Sequence, residues 1–415
     1  MRSASYKLTK YACFFTYPAL TPLFILPPIL FLTFREIYGV SYTLLGTLVL
    51  TNFCVQLGVD LFFTFFSLPC DHKNVLRATP LLTVVGMLVY ALVPTFFPDF
   101  AYGGLLIGTV IFSISSGLNE VFLSPTLASL PTDNLERDMS IMHSLYGYAS
   151  AVIAVLSTLF LQICGRENWI YLVLFWAVFP LICFVLFCFS PLPDIATDKP
   201  VSQSSAKRRT KGLLLCLACI FLGSAAENTM TNWVSVYMER TLQIPKALGD
   251  TLGLAAFALL LAFSRSLYAK YGKNIHRVLL LGMTGAVVCY LAAGLTASGV
   301  VAITACMLAG TCTAMLWPGT LLFMEEQFPN PGVAAYALMA AGGDFGASVA
   351  PQGLGIIADK VAAGKWAAEM GEKLGLSAEQ MGIKAGMLCT AIFPFIGIFV
   401  LLYMKKFFKL TNAKK

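Results

Sequence analysis

Four carboxylates stand inside stretches of apolar sequence: Asp60, Glu120, Glu227 and Asp344. An acid at the centre of a membrane-spanning helix costs roughly 2.5 to 3.5 kcal/mol on insertion scales, so each needs a partner, a cavity or a proton. If all four stayed charged the summed cost would be on the order of 10 kcal/mol. Hydrogen bonds between membrane helices return only about 0.6 to 2 kcal/mol each. Carboxylates so placed can carry a proton or hold a cation, and each lies in a helical stripe of small and polar residues. Asn52, Gln56, Asp60 and Thr64 recur at every fourth position. Ser113, Ser116, Gly117, Glu120 and Ser124 share a second stripe, Ser224, Glu227, Asn228, Thr231 and Ser235 a third, and Asp344, Ser348 and Gln352 a fourth. At 1.5 Å per residue, Asp60, Glu120 and Asp344 each fall about 16 to 18 Å from the inner end of their segment. These stripes read as walls of a solute path, with Glu120, Glu227, Asp344 and Asp60 as ion-coupling acids. For Asn52, Gln56, Asn119 and Gln352 taken singly, interhelical hydrogen bonding is an equal alternative.

Other residues add to this pattern. Tyr146, Trp233, Tyr237 and Trp317 offer aromatic faces on which a sugar ring could stack beside hydrogen-bonding groups. With Glu120, Asn119, Glu227, Asn228 and Gln56, the first, second and fourth of these form the expected solute-binding set. Anchoring at the membrane surface is the other reading for Trp233 and Tyr237. Arg265 and His143 are candidate gating residues. Arg265 either snorkels to the membrane surface or pairs with Asp344 or Glu325, and His143 either relays protons or sits as a satisfied helix-end residue. Asp60 and Asp344, at similar depth, are expected to approach one another and titrate as a unit. Pro18, Pro22, Pro27 and Pro28, and later Pro318 and Pro351, free backbone carbonyls and permit bends.

The elements that must position these residues are membrane helices. The chain has 415 residues, is 58% hydrophobic and only 12% charged, and has a mean hydropathy of +0.78, which excludes an ordinary soluble domain. The net charge of +7 resides at the ends of apolar runs, a pattern of membrane orientation rather than of nucleic-acid binding. Hydropathy marks twelve spans, near 11–34, 41–68, 78–97, 100–130, 139–164, 168–190, 212–238, 248–270, 276–297, 299–324, 333–359 and 382–408. Residues 191–211 are polar and basic, as a linker on the inner side would be. The fold class is therefore an all-α membrane protein with twelve transmembrane helices in two pseudo-symmetric six-helix bundles, residues 1–190 and 212–415. With both termini inside, Lys and Arg accumulate on the inner side, which gives N- and C-termini in the cytoplasm and a multi-pass protein of the cytoplasmic membrane. The first ten residues lack the apolar core and cleavage site of a signal peptide. Twelve dispersed cysteines carry no disulfide or zinc spacing.

Twelve spans, a basic central linker and short basic turns after spans two (CDHKNVLR) and eight (AKYGKNIHR) resemble the major facilitator superfamily. Asp71 stands at the acidic position of that superfamily's first charged turn, and Ala269 replaces the acid in the second. Four patches resemble its fucose-permease branch of proton-coupled sugar symporters: Glu120 to Pro125, His143 to Gly147, Ala226-Glu227 with Trp233 and Tyr237, and LWPGTLLFM followed by AGGDFGASVAPQGLGIIAD. The resemblance implies a role for the acid of span four in proton coupling and sugar contact. Ser124, where the branch has asparagine, and Asp344, where it has glycine, depart from it, as does a first span without aspartate.

Together these readings lead to the expectation of a secondary transporter, not an enzyme, that imports a monosaccharide or similar polar solute with protons by alternating access. No nucleotide-binding Gly-x-x-x-x-Gly-Lys-Ser/Thr pattern is present, and no cofactor is expected beyond a coupling ion, protons or alternatively sodium. The expected partners are the small solute and the lipid bilayer, with the chain a monomer. Proton-driven export of a cationic or amphipathic compound is the first alternative, and a non-transporting sensor on a transporter fold is the second.

Overall fold

The computed structural model describes residues 6–65, 71–131, 135–193, 206–328 and 333–408. Among them every regular element is helical. In chain order these are α1 (Lys7–Leu20), α2 (Pro22–Tyr38), α3 (Tyr42–Phe65), α4 (His72–Phe96), α5 (Ala101–Ala128), α6 (Leu135–Cys164), α7 (Trp169–Phe189), α8 (Ala206–Val236) and the single turn α9 (Lys246–Gly249). There follow α10 (Ala256–Tyr271), α11 (Ile275–Leu295), α12 (Gly299–Thr313), α13 (Pro318–Gln327), α14 (Val333–Ala362), α15 (Lys365–Leu374), α16 (Ala378–Thr390) and α17 (Ile392–Phe407). Eleven segments among the described residues are long and apolar enough to cross a membrane. The 30-residue α14, which carries Asp344, Asp359 and several glycines, stands where the eleventh of the twelve expected spans falls.

Proline and caps set several boundaries. The first span is two helices, α1 and α2, divided at Pro22, whose missing N–H suits a first helical position. Gly39, at φ 67°, ends α2 by donating its N–H to Arg35 O, a left-handed cap that glycine adopts without strain. Asp71 caps α4 by accepting from the Lys73 N–H at 3.1 Å. The tenth span breaks in the four residues Ala314 to Trp317, between α12 and α13.

The chain divides into two compact units, Met1–Val40 with Thr51–Asp198, and Ser41–Leu50 with Lys199–Lys415. In the first, α4 and α5 approach closely because glycine leaves room: a Cβ at Gly108 would lie 2.6 Å from Tyr90 N, and one at Gly86 2.6 Å from Phe112 N. Packing that depends on small residues suits membrane helices, where no hydrophobic force drives association. An apolar core of Cys13, Leu76, Phe122, Met142 and Phe187 lies beside it, and Lys10 on α1 pairs with Asp138 on α6 at 2.6 Å. In the second unit α14 lies on α8 through Gly346, whose Cβ would meet Phe221 O at 2.2 Å.

This division differs from the expected one at residues 41–50, which group with the second unit. Hydrogen bonds explain why. Asp359 Oδ2 accepts from both the Thr43 N–H and the Thr43 hydroxyl at 2.6 Å, and Glu379 Oε1 accepts from the Tyr42 hydroxyl at 2.5 Å. Thr43 is the second residue of α3, so a carboxylate from α14 supplies the cap of another helix. A further difference concerns residues 206–211, expected in the linker: they form the first turns of α8. Of the rest of that linker, residues 194–205 lie outside the described residues.

Candidate functional site

In the first unit, α3 and α5 set their polar stripes against each other. The approach is close at Gly117, where a Cβ would lie 2.9 Å from Val59 Cβ. Ser113 on α5 donates to Asn52 Oδ1 on α3 at 2.6 Å, and Gln56 Nε2 donates to the same oxygen at 3.0 Å. Two turns further along, a carboxylate oxygen of Asp60 and one of Glu120 lie within 4.8 Å of each other. Asp60 is 6% exposed, whereas Glu120 is open, so one member of the pair is enclosed and the other reachable. Two negative charges at that separation repel strongly outside bulk water; the arrangement suits a group that gains and loses a proton or a cation. Asn119 is buried beside Glu120 in sequence; its Nδ2 donates to Ser115 O at 3.0 Å, and its Oδ1 has no partner among the described residues. On the other side of α5, Ser115 pairs with Thr83 at 2.5 Å and donates to Thr79 O at 2.7 Å, which fixes α5 against α4.

In the second unit, Glu227 on α8 meets Arg265 on α10. Nη2 of Arg265 donates to Glu227 Oε1 at 3.0 Å and Oε2 at 3.2 Å. Arg265 Nε donates to Ala314 O at 2.8 Å, and sequence explains that carbonyl's availability. Pro318, four residues on, has no N–H to give it, so the guanidinium takes the place of the missing helical donor. The partner that the structure gives Arg265 is thus Glu227, a pairing not among those expected of it. The side chain of Glu325 lies outside the described residues.

The remaining expected residues have individual fates. Trp317 sits in the break of span ten with its ring against α14, where a Cβ at Gly343 would meet the ring at 2.3 Å. The next residue, Asp344, is 3% exposed. Asn228 Nδ2 donates to Ser224 O and Oγ at 3.2 and 3.1 Å, the local bonding open to such a residue within a helix. Trp233 is fully enclosed: its Nε1 donates to Pro351 O at 3.1 Å, and its ring meets Tyr42 edge-on at 5.6 Å. With no surface for a solute or an interface, it packs the second unit. Tyr237 is likewise buried and bonded to Ala293 O, not a surface anchor. Tyr146 keeps a partly open ring, edge-on to Phe24 at 6.1 Å. The side chains of His143 and Ser124 lie outside the described residues. Sequence reading missed Asp250, wholly buried, which accepts from Ser235 and pairs with Lys246 at 3.3 Å. It also missed Asp359 and Glu379. The spacing of Lys246 and Asp250, four apart at a helix start, was the available signal for the first.

Comparison with known proteins fits this arrangement. The model of the Major Facilitator Superfamily matches residues 13–351, and the chain belongs to that superfamily. It is therefore a multi-pass membrane transporter rather than an enzyme. No curated protein sequence matches it. The D-xylose-proton symporter is similar in structure, with TM-score 0.75 and 14% identity over 97% of this chain and 98% of that one. A bacterial homolog of the human lysosomal transporter Spinster, inward-facing and occupied, matches with TM-score 0.73 and 14% identity over 99% and 100%. The Escherichia coli fucose:proton symporter matches with TM-score 0.61 and 12% identity over 97% and 99%. At these identities the likeness is one of fold.

Proposed function

We propose that the protein is a proton-coupled symporter of a monosaccharide or similar small polar solute, working by alternating access in the cytoplasmic membrane with both termini inside. The observation that carries the reading is the juxtaposition of Asp60 and Glu120, an enclosed carboxylate beside a reachable one on two helices of one unit. One proton on such a pair removes the repulsion between its members, and its departure leaves two charges that repel. Arrival and loss of the proton therefore change the energy of the segment where α3 and α5 meet, which is what coupling requires. The sugar-symporter neighbours support the solute class by analogy of fold.

Purified protein in liposomes tests this. Accumulation of solute under an inward proton gradient is the expected result, and extrusion under the same gradient would make the protein an antiporter. Glu120→Gln keeps the shape and hydrogen bonding of the side chain but cannot titrate. It is expected to abolish accumulation while counterflow continues, and accumulation like that of the parent would remove Glu120 from the coupling role.

A further inference from the structure

The second unit holds an ion pair that proton coupling at Asp60 and Glu120 does not use. A buried ion pair is weak evidence for stability, because apolar residues of similar volume often serve as well or better. Glu227 and Arg265 are also not sealed: their side chains are 14% and 24% exposed. The donors of the guanidinium are unevenly spent. Nε goes to Ala314 O, and both Glu227 oxygens share Nη2. Nη1, with two hydrogens, has no acceptor among the described residues. Glu227 thus does not form the two parallel bonds, one per nitrogen, that make arginine–carboxylate pairs strong. An arginine half engaged by its own glutamate, reachable and with one nitrogen free, is equipped to take a second carboxylate.

Resting on the reading of the protein as a solute transporter, we propose that Arg265 receives a carboxylate of the solute, so that the substrate class is a small polar organic anion such as a sugar acid. The carbonyl that Arg265 holds belongs to the break in span ten, and Trp317 closes that break three residues later. The ring of Trp317, partly open, supplies an apolar wall for the solute's carbon skeleton near the charge that holds its anionic end. Glu227 then acts as an internal occupant of the arginine, keeping it paired when no solute is present and competing with the solute for it.

The competition supplies the test, because removing the competitor should strengthen binding. Thermal stability of the purified full-length protein is measured with matched solutes that differ by a carboxylate: glucose and glucuronate, galactose and galacturonate, glycerol and glycerate. The carboxylate members are expected to stabilise the parent protein and the neutral members to have little effect. In Glu227→Gln, apparent affinity for the carboxylates should rise by about tenfold or more, as a freed charge-assisted donor implies. In the double variant Glu227→Gln with Arg265→Gln, which leaves no unpaired charge, carboxylate binding should vanish. Should Glu227→Gln not fold, Arg265→Lys on the parent background is expected to weaken carboxylate binding by about tenfold, since lysine lacks the planar fork. Stabilisation by neutral members alone, no tighter binding in Glu227→Gln, carboxylate binding that survives the double variant, or no carboxylate effect in either protein would overturn the proposal. Gradient-driven uptake of a neutral sugar with no carboxylate binding would sink this inference and leave the symporter reading intact; carboxylate binding without proton-driven uptake would do the reverse.

Discussion

Single residues fall into two kinds, those whose neighbours use up their chemistry and those left with chemistry to spare. Asn52, Gln56 and Asn228 have their amide groups engaged in bonds within or between helices, and they act as polar glue. Asp60 and Glu120 differ, because a carboxylate oxygen of each lies within 4.8 Å of one on the other. If they work as one protonation site, Asp60→Asn and Glu120→Gln should each abolish gradient-driven uptake, and the double variant should add little to either. Additive losses in initial-rate measurements would instead mark two independent acids. Trp317 carries a separate expectation. Loss of its ring in Trp317→Ala should weaken solute binding by about 1 to 3 kcal/mol, the range for one aromatic platform and its burial. Titration calorimetry reads this directly, and unchanged affinity would assign Trp317 to packing against Gly343.

Elements show how far the sequence could be read. Hydropathy gave the spans because it is a local property of each segment, and proline gave the breaks at Pro22 and Pro318 for the same reason. Pairings depend on which helices meet, and no local pattern encodes that. Glu227 and Arg265 are 38 residues apart, Asp60 and Glu120 farther still, and Glu227 was not foreseen as a partner of Arg265 because depth along a single span does not say which helix faces it. Asp359 and Glu379 belong to no polar stripe that would single them out, yet they hold the start of α3. Asp359→Ala removes two charge-assisted bonds and the cap of α3, which should cost about 1 to 2 kcal/mol. Tyr42→Phe removes one bond and should cost about 0.5 to 1.5 kcal/mol. Denaturation of the purified protein in detergent measures both, and losses near zero would show that these bonds are replaced by water.

For the whole molecule, charge balance joins the two proposals. Superfamily membership establishes a transporter fold at 12 to 14% identity to the compared structures, too low to import a substrate, so the molecule's own charges must argue for one. The Glu227 and Arg265 pair is neutral before a solute arrives, and an organic anion brings one negative charge into the second unit. One proton on Asp60 or Glu120 brings one positive charge to the first. Crossing together, solute and proton move no net charge across the membrane, whereas a neutral sugar with one proton would move one, worth about 2.3 kcal/mol per 100 mV. Uptake of a carboxylate solute into liposomes should then follow the pH difference and ignore the electrical potential. Collapsing the potential with a potassium ionophore should leave accumulation unchanged, and collapsing the pH difference should abolish it. Accumulation driven by potential alone would mean that net charge crosses with the solute, and a neutral solute, or more than one proton per anion, would replace the balance argued from Arg265.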